Sequence, residues 1–159
     1  MHLGKPLKAA LAMAVAFTLY LPLQAELKSV LVAYKIVMAD GVEQRQPADK
    51  AKPGDVVEYV AEYQNTDKRP VNNVLAKLPI PSGMEYLPET GSPAGIMAST
   101  DDVNFAAVPL KRSVRQADGT MAQQLVPYSE YRSLRWNLGE IAGGASKTVK
   151  ARMKIKAGK

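Results

Sequence analysis

The side chains available for chemistry in this 159-residue chain are limited first by what is missing. There is no cysteine, and the single histidine is His2. That leaves no Ser-His or Cys-His nucleophile arrangement in the body of the chain, and it removes the usual zinc and copper ligands apart from carboxylates and methionine. Carboxylates remain. Glu58 and Glu62 alternate onto one face of a strand-like run, the placement from which a glycosidase pair would be built. Alternation alone produces such pairs on any solvated strand, so they read as surface charges. Asp101, Asp102 and Asn104 offer oxygen ligands to calcium but lack the full spaced loop of a dedicated site, and they suit a tight bend instead. The chain therefore reads as a non-enzymatic protein, without cofactor or metal.

Two groups of residues could bind rather than catalyse. In "SKTVKARMKIK" Val149, Ala151, Met153 and Ile155 alternate inward, which turns Thr148, Lys150, Arg152, Lys154 and Lys156 outward as a basic stripe. Such a stripe could hold an anionic envelope polymer. Lysines also keep an exposed or edge strand soluble and unpaired, and the pattern favours that reading. No aromatic residue interleaves with the stripe, which argues against nucleic acid. In "PYSEYRSLRW" a surface cluster of Tyr128, Tyr131 and Arg135 could stack on sugar rings, whereas Trp136 on the opposite face is expected to fill the core.

The elements that must position these groups are strands. The first 25 residues have the three parts of a secretory signal: Lys5 and Lys8, an apolar run from Ala9 to Leu21, and a small residue, Ala25, at the expected cut. Cleavage there leaves residues 26–159 as one domain with no further transmembrane segment, exported to the periplasm or beyond the cell. Losing two lysines lowers the 21 basic residues to 19 against 15 acidic ones, a formal +4. Beyond that point the apolar period is close to two almost everywhere. "LKSVLVAYKIVM" is apolar on both faces, which predicts a strand covered on both sides or lying at a sheet junction. "ADGVEQRQPADKAKPGD" reads as a polar connector. Val56 to Gln64, "VNNVLAKLP", Met84 to Leu87, Ile96 to Ala98, Asn104 to Val108, "LKRSVRQ", "TMAQQLV", "YRSLRWNL" and the final basic run follow, separated by Gly, Pro and Asp turns. Seven to nine short strands at this spacing predict an all-β antiparallel sandwich.

Three blocks in order carry a family resemblance: "KPGDVVEYVAEYQNT", "PVNNVLAKLPIPSGMEY" and "YRSLRWNLGEIAGGASKTVKARMKIK". Over residues 52–155 they resemble the bacterial conserved-repeat domain of unknown function, number eleven in its series, found in cell-surface and exported proteins. Pro53, Gly54, Asp55, Tyr59, Asn65, Thr66, Val74, Pro81, Gly83, Trp136, Leu138, Gly139 and Gly144 match its pattern. The segment from Ala98 to Tyr131 is long for a minimal repeat, leaving room for an insertion. The resemblance implies an immunoglobulin-like β-sandwich with a structural, adhesive or protein-binding role in the cell envelope, its partner a protein or an envelope polymer. The alternative is a carbohydrate-binding or carbohydrate-active accessory protein using a tyrosine and carboxylate surface.

Overall fold

The computed structural model describes residues 27–157, so the expected signal peptide lies outside the described residues. The chain is all-β, built from antiparallel sheets. One sheet contains β1 (Leu27–Ala39), β2 (Val42–Pro47), β3 (Val56–Asn65), β5 (Met84–Tyr86) and β11 (Ser146–Ile155), in the order β2-β1-β3-β11-β5. The second contains β4 (Val71–Pro79), β6 (Met97–Ser99), β7 (Ala106–Ala107) and β10 (Ser133–Ile141), in the order β4-β10-β6-β7. A separate two-stranded ribbon, β8 (Lys111–Arg115) with β9 (Met121–Leu125), occupies the middle of the long segment expected to be an insertion.

The described residues form eleven strands where seven to nine were expected. The expected connector after β1 is in fact β2, every residue of which is exposed, so it carries no apolar alternation to announce it. Its signal is the turn. Asp40 and Gly41 take φ values of 52° and 75°, and Ala39 faces Val42 across them. Two consecutive left-handed residues make the tight hairpin bend whose twist matches the flanking strands.

The core lies between the two large sheets. Ala61, Val149, Ala151 and Met153 meet Val74, Ala76, Leu78, Leu134, Trp136 and Ile141. These come from alternate positions of their strands, as the period of two requires, except Ile141, which the register shift near Gly139 moves out of phase with Leu134 and Trp136. The turns quoted above hold the ends. Gly54, at φ 92°, closes the strand entry by donating its N–H to the Ile155 carbonyl at 2.8 Å. Asn65, fully buried, donates its amide to the carbonyls of Arg69 (2.7 Å) and Ile141 (3.0 Å) and accepts from the Asp67 N–H, so one side chain ties the β3 exit to the end of β10. Among the described residues no helix is long and apolar enough to cross a membrane.

The carboxylates set the response to pH. Hydrogen bonds from Lys35 and from the Lys52 N–H lower the pKa of Asp55. The Arg152 guanidinium lowers that of Glu43, and turn N–H or hydroxyl groups lower those of Asp67, Asp101 and Asp118. A depressed folded-state pKa contributes stability above the unfolded value, and that contribution is lost as pH falls through the folded value. Burial raises Tyr59, Tyr86 and Tyr131, whose contribution is present below their ordinary value of 10.0 and lost as pH rises above it. With no histidine after His2, the melting temperature is expected to be flat from about pH 5 to about pH 9 and to fall on both sides. Calorimetry across that range checks this, and a step near pH 6.5 would contradict it.

Candidate functional site

The structure disperses the expected basic stripe. Thr148, Lys150, Arg152 and Lys154 do share the outer face of their sheet, opposite Glu62, Val60, Glu58 and Val56 of β3. But β11 is not an edge strand: β3 flanks it on one side, and β5 with Ser92 flanks much of the other. Arg152 is half-buried and engaged. Its Nε donates to Glu58 Oε1 at 3.1 Å, and its Nη1 donates to Glu43 Oε2 at 2.8 Å. The Glu43 carboxylate is the largest cause of the upward shift in the pKa of Arg152. Lys156 lies beyond the strand end, beside a polar recess shared with Asp102, Glu130 and Arg132. What remains of the stripe, Lys150 and Lys154, is too sparse to track a polyanion.

The carboxylate pair fails for two reasons. Four residues of strand separate Glu58 and Glu62, about 13 Å at the usual rise. Glu58 is also only 1% exposed and lies between Arg45 and Arg152. The result is an alternating chain across the outer face, Glu43 to Arg152 to Glu58 to Arg45, with the Arg45 guanidinium also set 5.1 Å from the Tyr34 ring. Acids and bases are equal in number, so the network links β2, β3 and β11 while leaving no net charge to recruit a ligand.

The expected sugar-stacking cluster separates as well. Tyr131 is 3% exposed and packs in the core with Tyr86 and Tyr128, their ring centroids 5.2 to 6.3 Å apart. Its hydroxyl accepts the Leu110 N–H at 2.7 Å, which anchors the base of the β8–β9 ribbon where Leu110 and Val126 enter the core. Removing that acceptor in Tyr131→Phe leaves a buried N–H unpaired. An expected loss of about 1 to 2 kcal/mol, read by denaturant unfolding, should accompany faster hydrogen exchange in the ribbon. Arg135 points away from both tyrosines, on the outer face of the second sheet, with its guanidinium 4.0 Å from the Phe105 ring centroid. Of the two tyrosines of that cluster, Tyr128 stays half-exposed. With Tyr86, Pro88, Glu89, Ile96 and Pro109 it lines a cleft of about 490 Å³ at one end of the fold.

The aspartates are used by their own loop. Asp101 Oδ1 accepts from the Ser99 hydroxyl (2.8 Å) and from the N–H groups of Val103 (2.9 Å) and Asn104 (2.7 Å), while Oδ2 accepts the Asn104 amide. Asp102 pairs with Lys77 at 3.1 Å. These are turn contacts, as the composition suggested.

What the sequence reading missed lies on β1. Pro47 ends β2 opposite Tyr34, so β2 covers only Tyr34 to Ala39, while β3 pairs with β1 from Leu27 to Ile36. The stretch from Leu27 to Ala33 therefore has a partner on one side only among the described residues. It was expected to be covered on both sides or to lie at a sheet junction. Instead Val30 is 59% exposed, Leu31 53% and Val32 39%. The other margins are guarded in the ways natural edges are. β2 carries Glu43, Arg45 and Pro47; β4 carries Lys77 and Pro79 and is irregular against β10 near Gly139; β5 and β7 are two or three residues long. A clue was present in the run itself: apolar side chains on both faces, and only Lys28 and Ser29 to interrupt them.

No family model, curated protein or solved structure matches the chain. The family reading therefore rests on the three sequence blocks.

Proposed function

We propose that this chain is an exported, non-enzymatic, immunoglobulin-like module of the bacterial cell envelope that binds protein by strand addition at the open edge of β1. The observation that carries the reading is the largely apolar stretch from Leu27 to Ala33, interrupted only by Lys28 and Ser29 and with a strand partner on one side only among the described residues, beside a closed, well-packed core. Main-chain hydrogen bonding along such an edge supplies affinity, and exposed side chains at alternate positions supply selectivity. The family resemblance supports the envelope setting, and the signal-like leader supports export. The tight internal pairing of Glu43, Arg45, Glu58 and Arg152 favours a structural role for these charges.

The test is site-specific photo-crosslinking in intact cells. A photoreactive side chain at Val30 or Leu31 is expected to give a discrete adduct with one polypeptide, identified by mass spectrometry, whereas the same group at Leu75 on β4 gives none. Equal labelling at all three positions, or none at β1, overturns the reading. One observation favours sugar binding as a second reading: Tyr128 exposes a ring to the apolar cleft beside the Glu89 carboxylate. Glycan binding lost in Tyr128→Ala, with no β1 adduct, would select it.

A further inference from the structure

The backbone of β1 specifies which strand completes the sheet. Lys150 exchanges two 2.8 Å hydrogen bonds with Ser92, so its partner across the β3–β11 ladder, Val60, turns its own N–H and C=O the other way, toward Val32 of β1. Antiparallel ladders alternate. The even-numbered residues Lys28, Val30 and Val32 therefore direct their backbone groups to β3, and the odd-numbered Leu27, Ser29, Leu31 and Ala33 direct theirs to the open edge. The hairpin agrees, because Ala39, Val37 and Lys35, also odd, face β2 through Val42, Gln44 and Gln46.

We infer that the occupant of this edge is a second copy of the chain, paired antiparallel about a two-fold axis at Val30; the inference rests on the strand-addition reading above. Four facts select this partner and register. Centred on Val30, the four open-edge residues of each copy all find partners, Leu27 with Ala33 and Ser29 with Leu31. Centred on Leu31, Leu27 would need Lys35, already held by Gln46 of β2, and centred on Ser29, Ala33 would find no partner among the described residues. The charge pattern agrees: the only cation in the stretch, Lys28, falls opposite Val32, so no like charges meet. The apolar pattern agrees too, since Val30 meets its own copy on the outer face and Leu31 covers Ser29 on the other. The same two-fold operation applied to one patch gives a closed, isologous pair rather than a growing fibre, because β2 blocks continuation beyond Tyr34. Seven residues a side make a small interface, so the pair is weak and concentration-dependent.

Val30 and its copy form a pair without direct hydrogen bonds, with Cα atoms about 4.5 Å apart, inside the range a disulfide spans. The chain has no cysteine of its own, so single-cysteine variants of the exported protein read the register directly. Under mild oxidation Val30→Cys is expected to give a covalent dimer by itself. Lys28→Cys and Val32→Cys should give one efficiently only when mixed, and Leu75→Cys on β4 should give none. Sedimentation equilibrium should show self-association at least ten-fold weaker in Val30→Lys, which sets two cations face to face, with the circular dichroism spectrum unchanged. Dimerisation of Leu31→Cys in place of Val30→Cys, or no more covalent dimer from Val30→Cys than from Leu75→Cys, overturns the inference. If the β1 photo-adduct in cells contains a different polypeptide while Val30→Cys stays monomeric, self-pairing is wrong and strand addition stands.

Discussion

Trp136→Ala is expected to lower stability by about 4 kcal/mol, enough to move the melting temperature down by roughly 15 °C in a domain of this size. The indole is 1% exposed and sits on β10, between Ala76 across the β4 ladder and the residues of the opposite sheet. Its Nε1–H donates to the Pro93 carbonyl at 2.9 Å, which pins the loop between β5 and β6 against the core. Truncation thus removes the largest side chain from a packed interior and frees that loop. Trp136→Phe keeps most of the volume but not the donor, and about half the loss is expected. Because Trp136 is the only tryptophan in the chain, its own emission reports the native state of the unaltered protein. The variants are compared by calorimetry and far-ultraviolet circular dichroism. A loss below about 2 kcal/mol in the alanine variant would mean that the two sheets close over the gap and that the indole is not essential to their packing.

The second large effect is electrostatic and is expected at Arg152. Arg152→Ala leaves Glu58, almost fully buried, with Arg45 as its single cationic partner. Stranding part of a buried charge costs about 3 kcal/mol, more than deleting an exposed ion pair, which costs under about 1 kcal/mol. The reason is desolvation: Glu58 keeps its burial but loses half of what offset it. Two comparisons separate this from simple loss of packing. Arg112→Ala, which breaks the exposed pair with Glu130, should be nearly silent. The double variant Glu58→Leu with Arg152→Met should recover most of the loss, because no buried charge then remains and the apolar side chains fill the same space. Urea unfolding of the unaltered protein and these three variants measures the differences. If the double variant is less stable than Arg152→Ala, the network specifies the arrangement of β2 over the sheet in a way apolar packing cannot replace.

Much of this architecture was legible in the residue order. The period of two, the spacing of Gly, Pro and Asp turns, and the buried position of Trp136 required only local rules: side chains alternate on a strand, and turns need residues that tolerate left-handed or proline-fixed backbone. Tyr59 and Ala61 facing inward, Gly54 and Asn65 holding turns, and Asp101 folded into its own bend all follow from such rules. The candidate sites were less legible. Alternation says which residues share a face, but not whether that face is covered. Glu58 and Arg152 were correctly placed on outer faces and wrongly taken as free, because their burial depends on Arg45 and Glu43 arriving from β2, a strand with no apolar signature. Tyr131 and Arg135 were grouped because alternation puts them on one strand face, but β10 begins only at Ser133, so that alternation does not reach Tyr131, which turns into the core.

The sequence by itself determined the class of the protein: an all-β chain without disulfides, with no thiol and no imidazole beyond His2, closing around alternate apolar residues. Only the tertiary structure decided where it can be touched. Strand order is a long-range property, set by which strands pair across tens of residues, and period-two patterning does not encode it. That order places β11 inside its sheet, turns its strongest cation into an internal ion pair, and halts β2 at Pro47. The seven residues of β1 that have a strand on one side only among the described residues are the consequence.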